Sequence, residues 1–116
     1  MQVQEPIRVG VVGFGLAGRY FHTAVIQGTP GLELACVVQR SGDDAAREHP
    51  QVKVARSVEE MLADISIQLV VLATPSYSHY ELAAQCLREQ RHVVVDKPFT
   101  LSSAEAADLI KMARER

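Results

Sequence analysis

The sequence predicts an α/β fold, a doubly wound parallel sheet of about five strands, and three observations carry the prediction. Strand-like and helix-like stretches alternate along the chain with short connections and no linker, as successive βαβ units do. The strand runs are apolar at successive positions, as at Val9, Val11 and Val12, which suits strands covered on both faces. The first run empties into glycines spaced GxGxxG and then into a helix-like pattern.

Strands are expected near Ile7 to Val12, Glu33 to Val38, Val52 to Ala55, Gln68 to Ala73 and His92 to Val95, with a helical stretch after each. The first helix should begin near Leu16 and show Tyr20, Phe21, Ala24 and Val25 at apolar helical spacing. Gly28, Thr29, Pro30 and Gly31 then end it and turn the chain into the second strand. Two later helix starts carry a capping box, Ser57 with Glu60 and Ser102 with Glu105, in which hydroxyl and carboxylate take up the first free N–H groups. The last helix places Ala106, Leu109, Ile110 and Ala113 on one face, with Glu105, Asp108 and Lys111 among its polar positions. Five strands are one short of the full doubly wound order, and the chain stops directly after a helix. Residues 1–116 therefore read as one domain that looks cut.

Each glycine of the first turn has its own physical task, and together they make the sheet Rossmann-like. Gly13 lets the chain turn sharply out of the strand. Gly15 removes a side chain so that backbone N–H groups can approach a pyrophosphate, and Gly18 lets the helix pack tightly on the sheet. The helix start then points free N–H groups and its positive dipole end at the phosphates. The alternative is a tight structural βα turn, and the strand before and helix after favour dinucleotide binding over it.

The end of the second strand selects between coenzymes. An Asp or Glu about 20 residues past the glycines holds the adenosine ribose in NAD binders and repels the 2′-phosphate of NADP. This chain has Gln39, Arg40 and Ser41 there. Arg40 can pair with a phosphate or stack on adenine, and Ser41 can donate a further hydrogen bond. NADP is favoured, with NAD as the other candidate; a solvated loop arginine is the bland reading. Asp43 and Asp44, slightly later, are expected to cap or charge the next helix start.

Composition narrows the partners. With 116 residues and 47% hydrophobic content the chain can bury one core of ordinary size. A formal net charge of −2 without basic clusters argues against general binding to nucleic acid or to a membrane surface. No apolar run approaches spanning length and the opening MQVQEPIRVG lacks a signal pattern, so a cytoplasmic location is expected. Cys36 and Cys86, in a strand and a helix, suit buried thiols in a reducing compartment. None of the four histidines has ligand spacing such as HExxH, and neither a CxxC pair nor a GxSxG elbow occurs, so no metal and no serine or cysteine nucleophile is expected.

Two further segments fall at carboxyl ends of parallel strands, where open α/β sheets bind ligands: Ala73 to Ser76 with His79, and Asp96, Lys97 and Pro98. With these the chain resembles a known family. GFGLAG (Gly13, Phe14, Gly15, Leu16, Ala17, Gly18), ATPSYSH (from Ala73 to His79) and VVVDKP (from Val93 to Pro98) are together similar to the cofactor domain of the Gfo/Idh/MocA oxidoreductases. These are the relatives of glucose-fructose oxidoreductase and inositol dehydrogenase, and the resemblance covers nearly the whole chain from Ile7 onward.

The resemblance implies a dehydrogenase moving hydride between a nicotinamide cofactor and a hydroxyl-bearing carbon, commonly of a sugar, cyclitol or related polyol. It implies that Gly13, Phe14, Gly15, Leu16 and Gly18 bind the cofactor. Thr74 and Pro75 would line the cofactor groove, with His79 close by at the next helix start or serving as a cap or packing residue. The family's last motif is usually Glu, Lys, Pro; here it is Asp96, Lys97 and Pro98, which the resemblance also places at the cofactor, with the acid one methylene shorter. Lys97 would be catalytic, sitting between nicotinamide ribose and substrate and polarising the reacting oxygen or helping carry its proton. The bland reading pairs Lys97 with Asp96 or solvent. Pro98 completes the motif, and its preceding bond is a candidate for cis geometry. His22 matches the family's FH element but equally reads as a helix histidine. Family members continue into a second α/β domain that supplies the substrate pocket, a catalytic histidine and usually the interface of a homo-oligomer, so the fragment alone is expected to lack turnover. The alternative from another class is a non-catalytic NAD(P)-binding sensor or regulatory module, which has no evident need for Lys97.

Overall fold

The protein is described by a computed structural model over residues 5–15, 18–97 and 99–115. Leu16 and Pro98, both expected at the cofactor, lie outside the described residues, as does the bond before Pro98.

Five parallel strands form one sheet: β1 (Ile7–Val12), β2 (Leu32–Val38), β3 (Lys53–Ala55), β4 (Leu69–Leu72) and β5 (His92–Val95), in the spatial order β3-β2-β1-β4-β5. β1 and β5 have the expected bounds, β2 and β3 differ by one residue at the start, and β4 is one residue shorter at each end. The apolar runs explain the order. Val9 to Val12 are all buried, because β1 has strand neighbours on both edges and helices over both faces. Along β1, Val9 and Val11 face one layer and Val12 the other, as pleating requires. β2 breaks this alternation: its register against β1 slips between Val9 and Gly10, so Leu34 and Val37 point the same way.

The helices divide between the faces. α1 (Thr23–Gln27) and α2 (Asp44–Glu48) cover the side built on Val9, Val11, Leu34, Val37 and Val71, through Ile26 and Ala45. α3 (Val58–Leu62), α4 (His79–Arg88) and α5 (Ser103–Glu115) cover the other through Met61, Leu62, Ala83, Ala84, Cys86 and Leu109. Met61 explains a glycine that the turn motif does not: a Cβ on Gly10, in mid-strand, would lie 2.5 Å from the Met61 sulfur.

The first helix corrects the expected apolar face. Residues Gly18–His22 form one π-helical turn before α1, and the wider turn shifts the phase of the residues after it. Gly18, Thr23 and Ile26 are buried, whereas Tyr20, Phe21, Ala24 and Val25 are exposed. The last helix is also covered less than its pattern suggests: Leu109 is buried, but Ile110 and Ala113 are exposed. Both capping serines do cap: Ser57 Oγ accepts the Glu60 N–H at 3.1 Å, and Ser102 Oγ accepts that of Glu105 at 3.2 Å. Glu60 reaches one residue further back than a capping box requires and accepts the Arg56 N–H at 2.8 Å.

One buried charge ties the sheet to the loop before β4. Arg91 donates from Nε to the Ile67 carbonyl at 2.8 Å, and from Nη2 to the Leu62 and Asp64 carbonyls at 2.9 and 3.0 Å. It thereby supplies donors to chain-end carbonyls of α3 that the helix itself leaves open.

β1 pairs with β2 on one side and β4 on the other. The chain therefore winds outward in one direction through β3 and crosses back to wind in the other. Where such an order reverses, the loops at the carboxyl ends of the two central strands part and leave a crevice.

Candidate functional site

A crevice of about 760 Å³ opens at that point, walled by the loops that follow β1, β2, β3 and β4. A smaller cavity of about 260 Å³ between α4, α5 and β5 lies away from these loops. Of the expected cofactor residues, Gly13, Phe14, Gly15, Arg40, Ser41, Thr74 and Pro75 line the crevice.

The glycine turn shows three separate constraints. Gly13 has φ +101°, and a Cβ there would lie 2.8 Å from the Ala73 carbonyl oxygen, so both the turn and the neighbouring loop exclude a side chain. Gly18 packs directly under that turn, where a Cβ would meet the Gly13 carbonyl oxygen at 2.1 Å. Gly15 differs: among the described residues nothing lies within 4 Å of where its Cβ would be. The fold itself does not require that glycine. An open cradle on the crevice wall, bare of side chain, is the shape a pyrophosphate needs in order to reach backbone amides. Phe14 beside it meets the His49 ring edge-on, with centroids 5.9 Å apart, and the Arg19 guanidinium 5.6 Å from its own centroid.

The loop after β2 is held from three directions. Gln39, expected only as a neutral residue, accepts the Ala45 N–H on its side-chain oxygen at 3.0 Å and so caps α2, while Asp43 provides no side-chain cap and Asp44 places its charge in the first turn. The Gln39 N–H donates to the Ala55 carbonyl at 3.0 Å. Arg56, at the end of β3, donates from Nη1 to the Gln39 and Gly42 carbonyls at 3.0 and 2.7 Å. Arg40 and Ser41 project from this braced loop, both exposed.

After β4, the Ser78 hydroxyl lies 2.7 Å from Thr74 Oγ1 and 2.6 Å from the Pro75 carbonyl, closing a short turn over Ser76–Ser78. His79 is the first residue of α4 and 1% exposed, with Nε2 2.9 Å from the Thr74 carbonyl. Its ring therefore stands behind the crevice wall, where it braces the Thr74 turn from within.

At the end of β5, Asp96 turns to His22: Nε2 and Oδ1 are 2.6 Å apart, both side chains partly buried. This joins the helix emerging from the glycine turn to the strand end carrying Lys97. Of the two partners in the bland reading of Lys97, Asp96 is taken by His22, which leaves solvent. Lys97 is exposed and has no ion pair among the described residues. Neither thiol belongs to the site. Cys36 and Cys86 are free and buried, and burial pushes both up to about 11. Among the described residues no group of three or more His, Cys, Asp or Glu could hold a metal, and no helix is long and apolar enough to cross a membrane.

Sequence reasoning missed Arg56 and the His22–Asp96 pair. Arg56 had a positional signal, since it falls at a strand's carboxyl end immediately before a capping serine. The pair had none stronger than its two motifs, because its members are 74 residues apart.

A parallel sheet with a glycine turn, a bare cradle and a crevice at its order reversal defines a nucleotide-binding α/β domain. Residues 7–116 match the family described as GFO_IDH_MocA, an oxidoreductase family with an NAD-binding Rossmann fold, and the chain belongs to that family. It is 38% identical over 112 residues to the uncharacterized oxidoreductase YdgJ of Escherichia coli K12, a match covering 97% of this chain and 32% of the relative. Against the scyllo-inositol 2-dehydrogenase (NADP(+)) IolW of Bacillus subtilis 168 it is 31% identical, covering 97% of this chain and 31% of that one. Among solved structures, GenD2 from gentamicin A biosynthesis, in complex with NAD, superposes with a TM-score of 0.90 at 36% identity, covering 99% of this chain and 33% of GenD2. The chain thus spans about a third of the length of the curated relatives it matches.

Proposed function

We propose that the chain is the cofactor half of a longer NADP-preferring dehydrogenase acting on a hydroxyl-bearing carbon of a sugar, cyclitol or similar polyol. The observation that carries the reading is the bare Gly15 cradle sharing one crevice with Arg40 and Ser41. A pyrophosphate fits the first, and a phosphorylated adenosine ribose the second. Relatives carry both coenzymes, NADP in the name of IolW and NAD bound to GenD2, so the preference rests on this chain's own residues. Neutral Gln39 offers the ribose no carboxylate, and Arg40 and Ser41 offer donors suited to a phosphate.

Bound nicotinamide supplies a hydride acceptor or donor. Lys97, exposed at the end of β5, is free to hold the substrate oxygen and carry its proton at Nζ. His22 secures Asp96, the residue from which Lys97 departs, and so limits where that amine can reach. On this reading the substrate pocket and the contacts of a homo-oligomer would come from the part of the longer protein beyond this chain. Two free buried thiols accord with a cytoplasmic location.

The test is a titration with NADPH and NADH, repeated on Arg40→Ala. NADPH should bind more tightly, and the substitution should weaken NADPH about tenfold or more while moving NADH little. A clear preference for NADH, or indifference to the substitution, overturns the NADP assignment. In the longer protein, Lys97→Met should abolish polyol oxidation; tight coenzyme binding without turnover on any polyol would favour a sensor.

A further inference from the structure

We propose that Arg56 is a specificity-determining residue: the fixed half of a two-guanidinium clamp for a phosphomonoester on the adenosine ribose, with Arg40 as the mobile half. The inference rests on the NADP reading above and adds a residue to it. Both arginines leave neighbouring strand ends, since Val38 pairs with Ala55 and each guanidinium follows within two residues, and both line the crevice.

Their states differ in a way that suits a clamp. Nη1 of Arg56 is anchored on the Gln39 and Gly42 carbonyls. Nε and Nη2 have no partner among the described residues. An arginine pinned through one nitrogen has its planar fork already oriented and loses little side-chain freedom when the rest of the fork meets a phosphate. Arg40 has neither a hydrogen bond nor an ion pair among the described residues, so it can swing onto the same group.

The charges around the pair point the same way. The carboxylates with described contacts meet groups other than the two guanidiniums: Glu60 takes the Arg56 backbone N–H, Glu59 takes Gln85 Nε2 at 3.1 Å, and Asp43 and Asp44 pair with Arg47 at 3.2 and 2.5 Å. Neither the Arg40 nor the Arg56 guanidinium has a carboxylate partner among the described residues. Glu59 and Glu81 also line the crevice, but neither guanidinium is ion-paired to them, and two guanidiniums leaving adjacent strand ends match a dianion such as a 2′-phosphate better than a neutral ribose hydroxyl.

The two parts of an adenosine ligand can be separated by measuring adenosine 2′,5′-bisphosphate and adenosine 5′-monophosphate at one ionic strength by calorimetry. The chain should bind the bisphosphate at least about tenfold more tightly. Arg56→Met should weaken the bisphosphate about tenfold while leaving the monophosphate within about threefold, so that the preference collapses. Arg56→Lys retains a point charge but not the fork, and should retain only part of the preference. Equal weakening of both ligands makes Arg56 a loop brace alone and overturns the proposal, as does an unchanged preference. If Arg56→Met melts the fold, Arg56→Lys decides: a wild-type ratio refutes the clamp. A wild-type chain that binds both nucleotides alike refutes the NADP reading itself, and the clamp with it, whereas a surviving preference in both Arg56 variants refutes the clamp alone.

Discussion

Substituting Gly15 by alanine should separate binding from folding. In the free chain a methyl group at Gly15 meets none of the described residues inside 4 Å, and Gly15 is not among the positive-φ glycines. The native backbone therefore accepts alanine, and the unfolded chain loses freedom, which stabilises by up to about 1 kcal/mol. For a domain of this size the melting temperature should stay level or rise by up to roughly 4 °C. Coenzyme binding should suffer, because the methyl occupies the space through which phosphate oxygens reach backbone amides. Each charge-assisted hydrogen bond lost costs about 1.5–3 kcal/mol, roughly a ten- to hundredfold loss of affinity per bond. Gly18→Ala supplies the contrast. Its Cβ would lie 2.1 Å from a backbone oxygen, so the turn must move, at a cost of about 1–3 kcal/mol to the fold. Scanning fluorimetry reads the stability, and titration of NADPH emission reads the binding. The reasoning fails if Gly15→Ala binds coenzyme like the wild type, or if its melting temperature drops as far as that of Gly18→Ala.

Two further outcomes concern the scaffold. Arg91→Met keeps the bulk but strips donors from three carbonyls contributed by α3 and the loop before β4, and should cost about 2–4 kcal/mol in urea unfolding; a loss under about 0.5 kcal/mol would show that water replaces the guanidinium freely. The two thiols provide a pH dependence. Each titrates near about 11 in the folded chain against an ordinary 9.0, so the neutral thiol is favoured by folding. The stability this contributes is complete below pH 9 and drains away as pH rises toward 11. Urea midpoints should fall across that window in the wild type and fall less in Cys36→Ala and Cys86→Ala, and neither thiol should react with a disulfide reagent at pH 8 before unfolding.

The sheet was legible because its signal is local. A strand such as β1, buried on both sides, must be apolar at nearly every position, and a glycine-rich turn at its end leaves few alternatives. The first helix was legible as a helix but not in its facing, since one π turn rotates Tyr20, Phe21 and Val25 outward and no residue pattern announces such a turn. In the site, Gly13, Gly15, Arg40 and Thr74 were legible from their places after strands. Arg56 was not, because its partners are backbone carbonyls, which any sequence supplies. Gln39 was read for the charge it lacks, whereas its amide oxygen holds the start of α2. Asp96 and His22 find each other only once β1 and β5 share a sheet, so spacing along the chain carries no trace of their contact.

That contact and the crevice have a consequence for how occupancy and folding influence one another. The walls come from segments near residues 13, 40, 56 and 75, and the His22–Asp96 clasp closes a stretch of 74 residues. A guest lodged there is consequently a staple through most of the polypeptide, and it can leave by global unravelling only if β1, β2 and β4 part together. At a hundredfold excess over its dissociation constant such a guest adds about 2.7 kcal/mol to the whole domain, a sizeable share of what a marginally stable fold possesses.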